Sequence, residues 1–520
     1  MKFSLQKFIF VIALLFSLYI TFNHLLFFGL SYDESLFVNA AIGKDEVTFI
    51  SKHWHGIPIM VMKYIGALKS WLYMPIFKLF GVNILSIRLP MALLMYLNFY
   101  LIFLISRKYF KKEVVFALII LLFTDFTFIN LHKIDHGPTA IETFLKLLCL
   151  YFVGKKSSVQ NSLIIFSILL LGVFNKLNFI WFINALFGTY ILFYFSFDSF
   201  KSISNFKEKL FNKQFLLYSI LFILLVLYFV LILKTQNISP NKPFDFNQLI
   251  DQMEYQVNLM VFTLLNLRYE YLVGWSSDRP FTFLTGKAIV LIVLIANLIL
   301  LYTDRKKTDK SHFQVFVLTL FISLQYFFTK EASNIWHVLL IYPFIQLVIL
   351  NTISILSDKF KENNQFILGS FTTIWIVFNI YTYYNFEKKV DEKCNYWLYE
   401  PTINQLVSYT QERPERNIVS LGYGIHAQLL ALDKKEKKFA EIILESGQTS
   451  FSAESAISKI TDFENTVLVE NLKSNLNDKR ENYWAIIDYT KSKGLKMSLL
   501  HEMKDGCGIP IYNIFKISAP

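Results

Sequence analysis

Leu30-Ser31-Tyr32-Asp33-Glu34-Ser35-Leu36-Phe37 closes the first long apolar run of the chain, and its adjacent carboxylates, Asp33 and Glu34, set how the rest is read. The run from about Phe8 to Leu30 is long enough to cross a bilayer, since a spanning helix needs roughly 20 mostly apolar residues. Lys2 and Lys7 precede it, as in a secretory signal. The run is longer than the apolar region of such a signal, however, and no small-residue cleavage site follows before Asp33, so a retained anchor is expected. The carboxylates then sit where a membrane helix meets the far-side water, within reach of a headgroup held at the interface. The plainer reading of the same pair is two solvated charges ending a helix.

Composition extends the membrane reading to most of the chain. Of 520 residues, 54% are hydrophobic and 17% charged, and the apolar residues are gathered into blocks instead of recurring at amphipathic spacing. Spans are expected near 8–30, 86–106, 114–131, 139–153, 161–175, 178–197, 214–233, 284–302, 313–329, 337–355 and 365–384, about eleven transmembrane helices in a mainly α, polytopic fold. Basic residues fill alternate connections: Arg107, Lys108, Lys111 and Lys112; Lys155 and Lys156; Lys201, Lys207, Lys209 and Lys213; Arg305, Lys306, Lys307 and Lys310; Lys359 and Lys361. By the positive-inside rule these are cytoplasmic, with the N-terminus, in a multi-pass inner (plasma) membrane protein. Asp33, Glu34 and the C-terminal segment then lie outside. The net charge of +12 is largely this topology signal, not the footprint of a nucleic-acid partner.

The membrane domain is expected over 1–384, with outer loops at 31–85 and 234–283. In the second loop, Leu249, Ile250, Met253, Val257, Met260, Val261, Leu264 and Leu265 recur at helical spacing between Asp245 and Glu270, which predicts an interfacial helix. Residues 385–520 have soluble composition and read as a small α/β domain. Strands are expected at Asn417–Leu421, Thr466–Val469, Leu495–Leu500 and Ile509–Ile517, with a helix from Tyr483 to Lys493 ended by Gly494. Gly422-Tyr423-Gly424 lacks the third glycine of a phosphate-binding fingerprint and reads as a tight turn. Cys149 lies in a span; Cys394 and Cys507 lie in the outer domain, where a disulfide can persist, and their spacing does not decide whether they pair.

Tyr32-Asp33-Glu34-Ser35-Leu36, Tyr64-Ile65-Gly66-Ala67-Leu68-Lys69, Pro75-Ile76-Phe77-Lys78-Leu79-Phe80-Gly81 and Ile87-Arg88-Leu89-Pro90, in that order, make this region resemble membrane glycosyltransferases of the C-type fold (GT-C). The likeness is to family 39 and its bacterial relatives, which include protein mannosyltransferases and lipid A aminoarabinose transferases. A looser match lies in Trp336-His337-Val338-Leu339-Leu340-Ile341-Tyr342-Pro343. Gly66-Ala67-Leu68 replaces the Lys-Pro-Pro stretch of the aminoarabinose branch, so that branch's donor does not follow. The resemblance implies transfer of a sugar from a polyprenyl-phosphate carrier to a lipid, glycan or protein acceptor at the outer face. It places the catalytic acid position at Asp33, accompanied by Glu34, and a second acidic position at Asp135 in His132-Lys133-Ile134-Asp135-His136-Gly137-Pro138.

The residues support that chemistry independently. An acceptor hydroxyl is a poor nucleophile, so a carboxylate must take its proton as it attacks the anomeric carbon, and Asp33 is the candidate. The departing phosphate gains charge, which nearby cations stabilise; Lys63, Lys69, Arg88 and His337 are the candidate phosphate ligands near outer ends of spans. His53 and His55 in one outer loop, with His132 and His136 bracketing Asp135 in another, offer nitrogen ligands for a divalent metal cation. The same imidazoles also suit phosphate or carboxylate partners. Glu142 and Lys146 are spaced to neutralise each other on one helix. Asp125 and His24 are lone polar residues near helix ends, suited to satisfying a neighbouring helix. Two further classes fit a polytopic chain: a transporter of a lipid-linked sugar or anionic solute, which predicts midplane charges and repeated halves, and a non-catalytic envelope assembly protein.

Overall fold

A computed structural model describes residues 5–44, 52–135, 137–156, 158–195, 212–235, 246–264, 266, 295–297, 299–300, 310–329, 335–358, 364–392, 396, 399–421, 425–441, 462, 464–472, 487–488 and 490–518. Among these, five helices are long and apolar enough to cross a membrane: α1 (Leu5–Phe22), α4 (Ile84–Tyr109), α9 (Ile180–Tyr194, extended back to Leu177 by a short 3-10 turn), α10 (Lys213–Thr235) and α15 (Asn364–Asp391). A sixth forms if α5 (Lys112–Thr124) and α6 (Phe126–Lys133), bent by 60°, count as one span. The other expected spans correspond to α7 (Thr139–Val153), α8 (Val159–Asn175), α12 (Lys310–Phe327) and α14 (Phe344–Ser357), and 284–302 lies largely outside the described residues. The chain is a multi-pass membrane protein. Its helices share one core in which Phe99, Phe128, Phe179 and Tyr342 are buried.

The bend between α5 and α6 falls at Asp125. Its side chain accepts from the Phe128 amide at 2.8 Å and so caps α6, and it also interacts with the Gln346 side chain of α14, a partner on another helix as expected. Lys146 does not pair with Glu142. Its ammonium donates to the carbonyls of Leu339 (2.8 Å), Leu340 (3.0 Å) and Tyr342. Those carbonyls belong to the irregular turn between α13 (Ile335–Val338) and α14, so a buried lysine satisfies backbone oxygens that no helix ladder uses. His24 meets Glu387 of α15 at 2.8 Å.

The connection between α1 and α4 builds α2 (Tyr32–Ile42), a three-stranded antiparallel sheet of β1 (Lys52–Trp54), β2 (Ile57–Met62) and β3 (Ile65–Gly66), and α3 (Leu68–Phe80). An added Cβ on Gly66 would stand 2.2 Å from the Phe174 carbonyl, so only glycine lets this sheet lie against the end of α8. There Ile65 bridges to Lys176, and the Leu177 amide donates to the Tyr64 carbonyl at 3.1 Å.

The expected interfacial helix is α11 (Phe246–Leu264), which buries Leu259, Met260, Val261 and Leu264. The C-terminal region begins after α15, which runs past the expected boundary at 384. It contains α16 (Thr402–Glu412), β4 (Asn417–Ser420), α17 (His426–Leu432), β5 (Lys438–Glu441), β6 (Thr466–Asn471), β7 (Lys496–Lys504) and β8 (Pro510–Ser518). The five strands form one sheet in the order β5-β4-β6-β8-β7, parallel from β5 to β6 and antiparallel through β8 and β7. The parallel β4–β5 pair needs a crossover, which α17 supplies. Of the helix expected at Tyr483–Lys493, residues 487–488 and 490–492 are helical, while 483–486 and 489, with all of Gly422-Tyr423-Gly424, lie outside the described residues. Gly494 has the positive φ (68°) expected of a helix-ending glycine. Cys507 is disulfide-bonded, Cys149 is free and buried, and Cys394 lies outside the described residues.

This C-terminal domain docks directly on α2. Ala427 and Ala431 of α17 share a core with Leu36, Phe37 and Ala40. Asn39 donates to the Ala427 carbonyl at 3.0 Å, and Lys44 lies 3.5 Å from the Asp433 carboxylate. An added Cβ on Gly29 would sit 2.2 Å from the Glu400 carbonyl, so a side chain there would prise the two parts apart. The domain therefore lies at the same end of the molecule as Asp33.

Candidate active site

Local sequence fixes the start of α2. Ser31 and Glu34 form a reciprocal capping box: the Glu34 amide donates to Ser31 Oγ (3.2 Å) and the Ser31 amide to Glu34 Oε2 (2.9 Å). Glu34 is 1% exposed and also pairs with Arg88, whose Nε reaches Oε1 at 3.0 Å and Nη2 reaches Oε2 at 3.1 Å. The guanidinium's remaining donors go to the carbonyls of Leu25 (3.0 Å), Phe28 (2.8 Å) and Gly29 (2.8 Å). All five N–H donors of Arg88 are thus engaged inside the protein. The expectation that Arg88 holds a substrate phosphate does not fit this geometry, and neither does a proton-transfer role for Glu34. Together they lock the end of the α1–α2 connection onto α4.

Lys69 is corrected on the same ground. Its ammonium is fully buried, lies 2.8 Å from Asp135 Oδ2 and donates to the carbonyls of Asp135 (2.9 Å) and Gly137 (3.1 Å). Asp135 is 1% exposed; its Oδ1 accepts from the Thr139 hydroxyl at 2.7 Å and the Ala140 amide at 2.8 Å. The pair pins the connection between α6 and α7 to α3 and commits the Lys69 ammonium to groups within the protein. Asp135 itself has φ +44°, a left-handed conformation uncommon outside glycine, held in place by these contacts.

Asp33 differs from its neighbour. It lies in the first turn of α2, where the helix dipole favours an anion, and is only partly buried. Its charge bears on Tyr64, whose phenol is held above its ordinary pKa by burial and then by Asp33, and on Lys176. Lys176 is a site residue that the motifs do not point to. It follows the last residue of α8, between two apolar segments, and is 3% exposed. Burial pushes its pKa down, while the carboxylates of Glu142, Asp33 and Asp135 pull it up. No hydrogen bond or ion pair to its ammonium forms among the described residues. The only sequence signal for it is a lysine interrupting two apolar runs at an outer end.

The remaining expected residues separate. Lys63 is exposed at the β2–β3 turn, and His337 lies beside Trp181 and Trp336, with ring centroids 6.3 and 6.2 Å away. His53 and His55 lie on the β1–β2 hairpin, with His55 exposed. His132 is buried, its Nδ1 2.8 Å from the Phe128 carbonyl and its ring 4.1 Å from that of Phe128. His136 lies outside the described residues. Among those described, no three His, Cys, Asp or Glu side chains form a group able to hold a metal ion.

A partly buried carboxylate on a short helix and a buried acidic residue on a second connection accompany the apolar helices. Residues 67–232 match the family model for dolichyl-phosphate-mannose-protein mannosyltransferase. The structure of ArnT from Cupriavidus metallidurans in the apo state is similar over 97% of both chains, with a TM-score of 0.54 at 11% identity. ArnT bound to undecaprenyl phosphate gives 0.51 at 11% identity, again over 97% of both chains. The apo oligosaccharyltransferase of Archaeoglobus fulgidus gives 0.50 at 12% identity, over 90% of this chain and 70% of that one. No curated protein matches. The chain shares the fold of these solved structures, and residues 67–232 are similar to the mannosyltransferase family.

Proposed function

We propose that the protein is an inverting glycosyltransferase that moves a sugar from a polyprenyl-phosphate carrier to an acceptor hydroxyl at the outer face of the membrane. The observation that carries this reading is the partly buried Asp33 in the first turn of α2, with the buried Lys176 close enough to feel its charge. Asp33 takes the acceptor proton as its oxygen bonds to the anomeric carbon. The carbon–oxygen bond to phosphate breaks on the opposite side, and its electron pair leaves with the polyprenyl phosphate. Lys176 stabilises the charge growing there more in the transition state than in the ground state. A lipid phosphate as leaving group agrees with the matched family's dolichyl-phosphate donor and with the undecaprenyl phosphate bound by ArnT.

The decisive experiment incubates purified protein in detergent with a panel of polyprenyl-phosphate sugars and lipid, glycan or peptide acceptors. Release of polyprenyl phosphate in equal amount to a glycosylated acceptor is expected. Failure across the panel, with vectorial movement of a lipid-linked sugar in liposomes, would establish transport instead.

Lys176→Gln keeps a hydrogen-bonding end but loses the charge, so transfer should fall about tenfold or more, chiefly in kcat. Lys176→Arg should retain part of the rate. Equal activity of wild type and Lys176→Gln would remove the phosphate role.

The outer-face assignment rests on the alternating lysine and arginine connections. Reporter fusions at Lys156, Lys307 and Pro520 should read cytoplasmic, cytoplasmic and external; a cytoplasmic Pro520 would overturn it.

A further inference from the structure

At the end of the membrane domain where Lys108, Lys155 and Lys156 cluster, a cavity of about 280 Å³ opens between α8, α9 and α10. Its walls are Leu169, Ile183, Leu186, Phe222 and Leu225. Apolar cavities of about half that size already stay dry and take up an apolar guest, so water is a poor occupant for this one. The mouth carries the opposite chemistry. Lys155 and Lys156 are exposed there beside Asn161 and Ser162, and no acidic residue is among the described residues lining the cavity.

The lysines are organised. The Lys155 ammonium lies over the rings of Tyr151 (4.6 Å) and Phe152 (4.7 Å), which keeps it at the level where the apolar walls end. Lys108 donates to the Gly154 carbonyl, fixing the α7–α8 connection against the end of α4. Asn161 Nδ2 donates to the Lys156 carbonyl at 2.6 Å and holds the turn in place. Outside the cavity, α10 presents Leu216, Ile220, Ile223, Leu224 and Leu227 to the surroundings, so the opening gives onto a surface made for acyl chains.

We propose that this cleft binds one anionic glycerophospholipid from the adjacent leaflet, with an acyl chain between α8, α9 and α10 and its phosphate against Lys155 and Lys156. An apolar slot rimmed by cations, with no acidic residue among its described lining, selects a lipid with a negative headgroup over a zwitterionic one. The site is separate from the Asp33–Lys176 site, and its existence does not depend on the transfer reaction. Bound there, the lipid would brace α10 against α8 and α9.

Native mass spectrometry of the purified full chain tests this with phosphatidylglycerol and phosphatidylcholine of matched chains. Wild type should retain phosphatidylglycerol preferentially. The surface variant Lys155→Gln/Lys156→Gln should lose about tenfold of that preference while still taking up either lipid weakly. Leu186→Trp, which fills the cavity, should reduce binding of both lipids. Glycerol phosphate, a headgroup without chains, should not compete. Unchanged lipid selectivity in the double variant overturns the proposal, and so does competition by glycerol phosphate. Displacement of phosphatidylglycerol by equimolar undecaprenyl phosphate would reassign the cleft to the polyprenyl carrier. Should Leu186→Trp fail to fold, the lysine variant still decides, because both its positions are exposed.

Discussion

Asp33→Asn should lower sugar transfer by about 10²-fold or more, the scale of losing a general base, while expression and melting temperature stay those of wild type. The two halves of that expectation have different origins. The loss of rate follows from chemistry: the amide matches the carboxylate in size but cannot accept the acceptor's proton. The unchanged stability follows from the structure, because the interactions that build the start of α2 belong to its neighbours. Ser31 and Glu34 form the capping box, and Glu34 anchors the turn to Arg88. Near wild-type transfer by Asp33→Asn, measured as released polyprenyl phosphate, would refute the assignment.

Arg88→Met should have the largest effect on folding, about 3 to 5 kcal/mol, because it leaves the Glu34 carboxylate buried without its partner. Three carbonyls, those of Leu25, Phe28 and Gly29, lose their donor in the same change. Replacing a buried ion pair by apolar residues is often neutral, but the double variant Glu34→Leu/Arg88→Met should not recover here. The carbonyls would remain unsatisfied and the capping box would be lost. Thermal melting in detergent checks this: both variants should melt well below wild type and below Lys176→Gln. A double variant as stable as wild type would mean that the guanidinium–carbonyl bonds contribute little.

The two experiments also separate a pair of adjacent carboxylates that the motif alone presents together. Asp33 and Glu34 differ by one position on a helix, which turns their side chains about 100° apart. Glu34 meets α4 and Asp33 remains partly exposed. The Ser-x-x-Glu spacing of Ser31 and Glu34 already signals a capping role for the second carboxylate. The partner that buries it lies 54 positions away, at Arg88, and no local pattern announces it.

The same division holds across the molecule. Apolar run length, basic loops and strand-like alternation are local properties, and from them alone follow the multi-pass membrane class, most of the helices and four of the five C-terminal strands. The remaining strand, β5, is the short edge segment Lys438–Glu441, whose lysine, phenylalanine, alanine and glutamate carry too little pattern to register; it exists because β4 offers it a parallel edge. The acidic motif is legible too, because chemistry at a membrane surface needs charge directly after an apolar run. What each buried cation does is decided only by tertiary structure. Arg88, Lys69, Lys146 and Lys176 look alike in sequence, each a basic residue in or beside an apolar segment. Three of them are saturated by carboxylates or backbone carbonyls contributed from distant parts of the chain, and the fourth is not. A buried ammonium or guanidinium must find acceptors wherever packing brings them, so its role is set by which oxygens the fold delivers to it and not by the residues beside it in sequence.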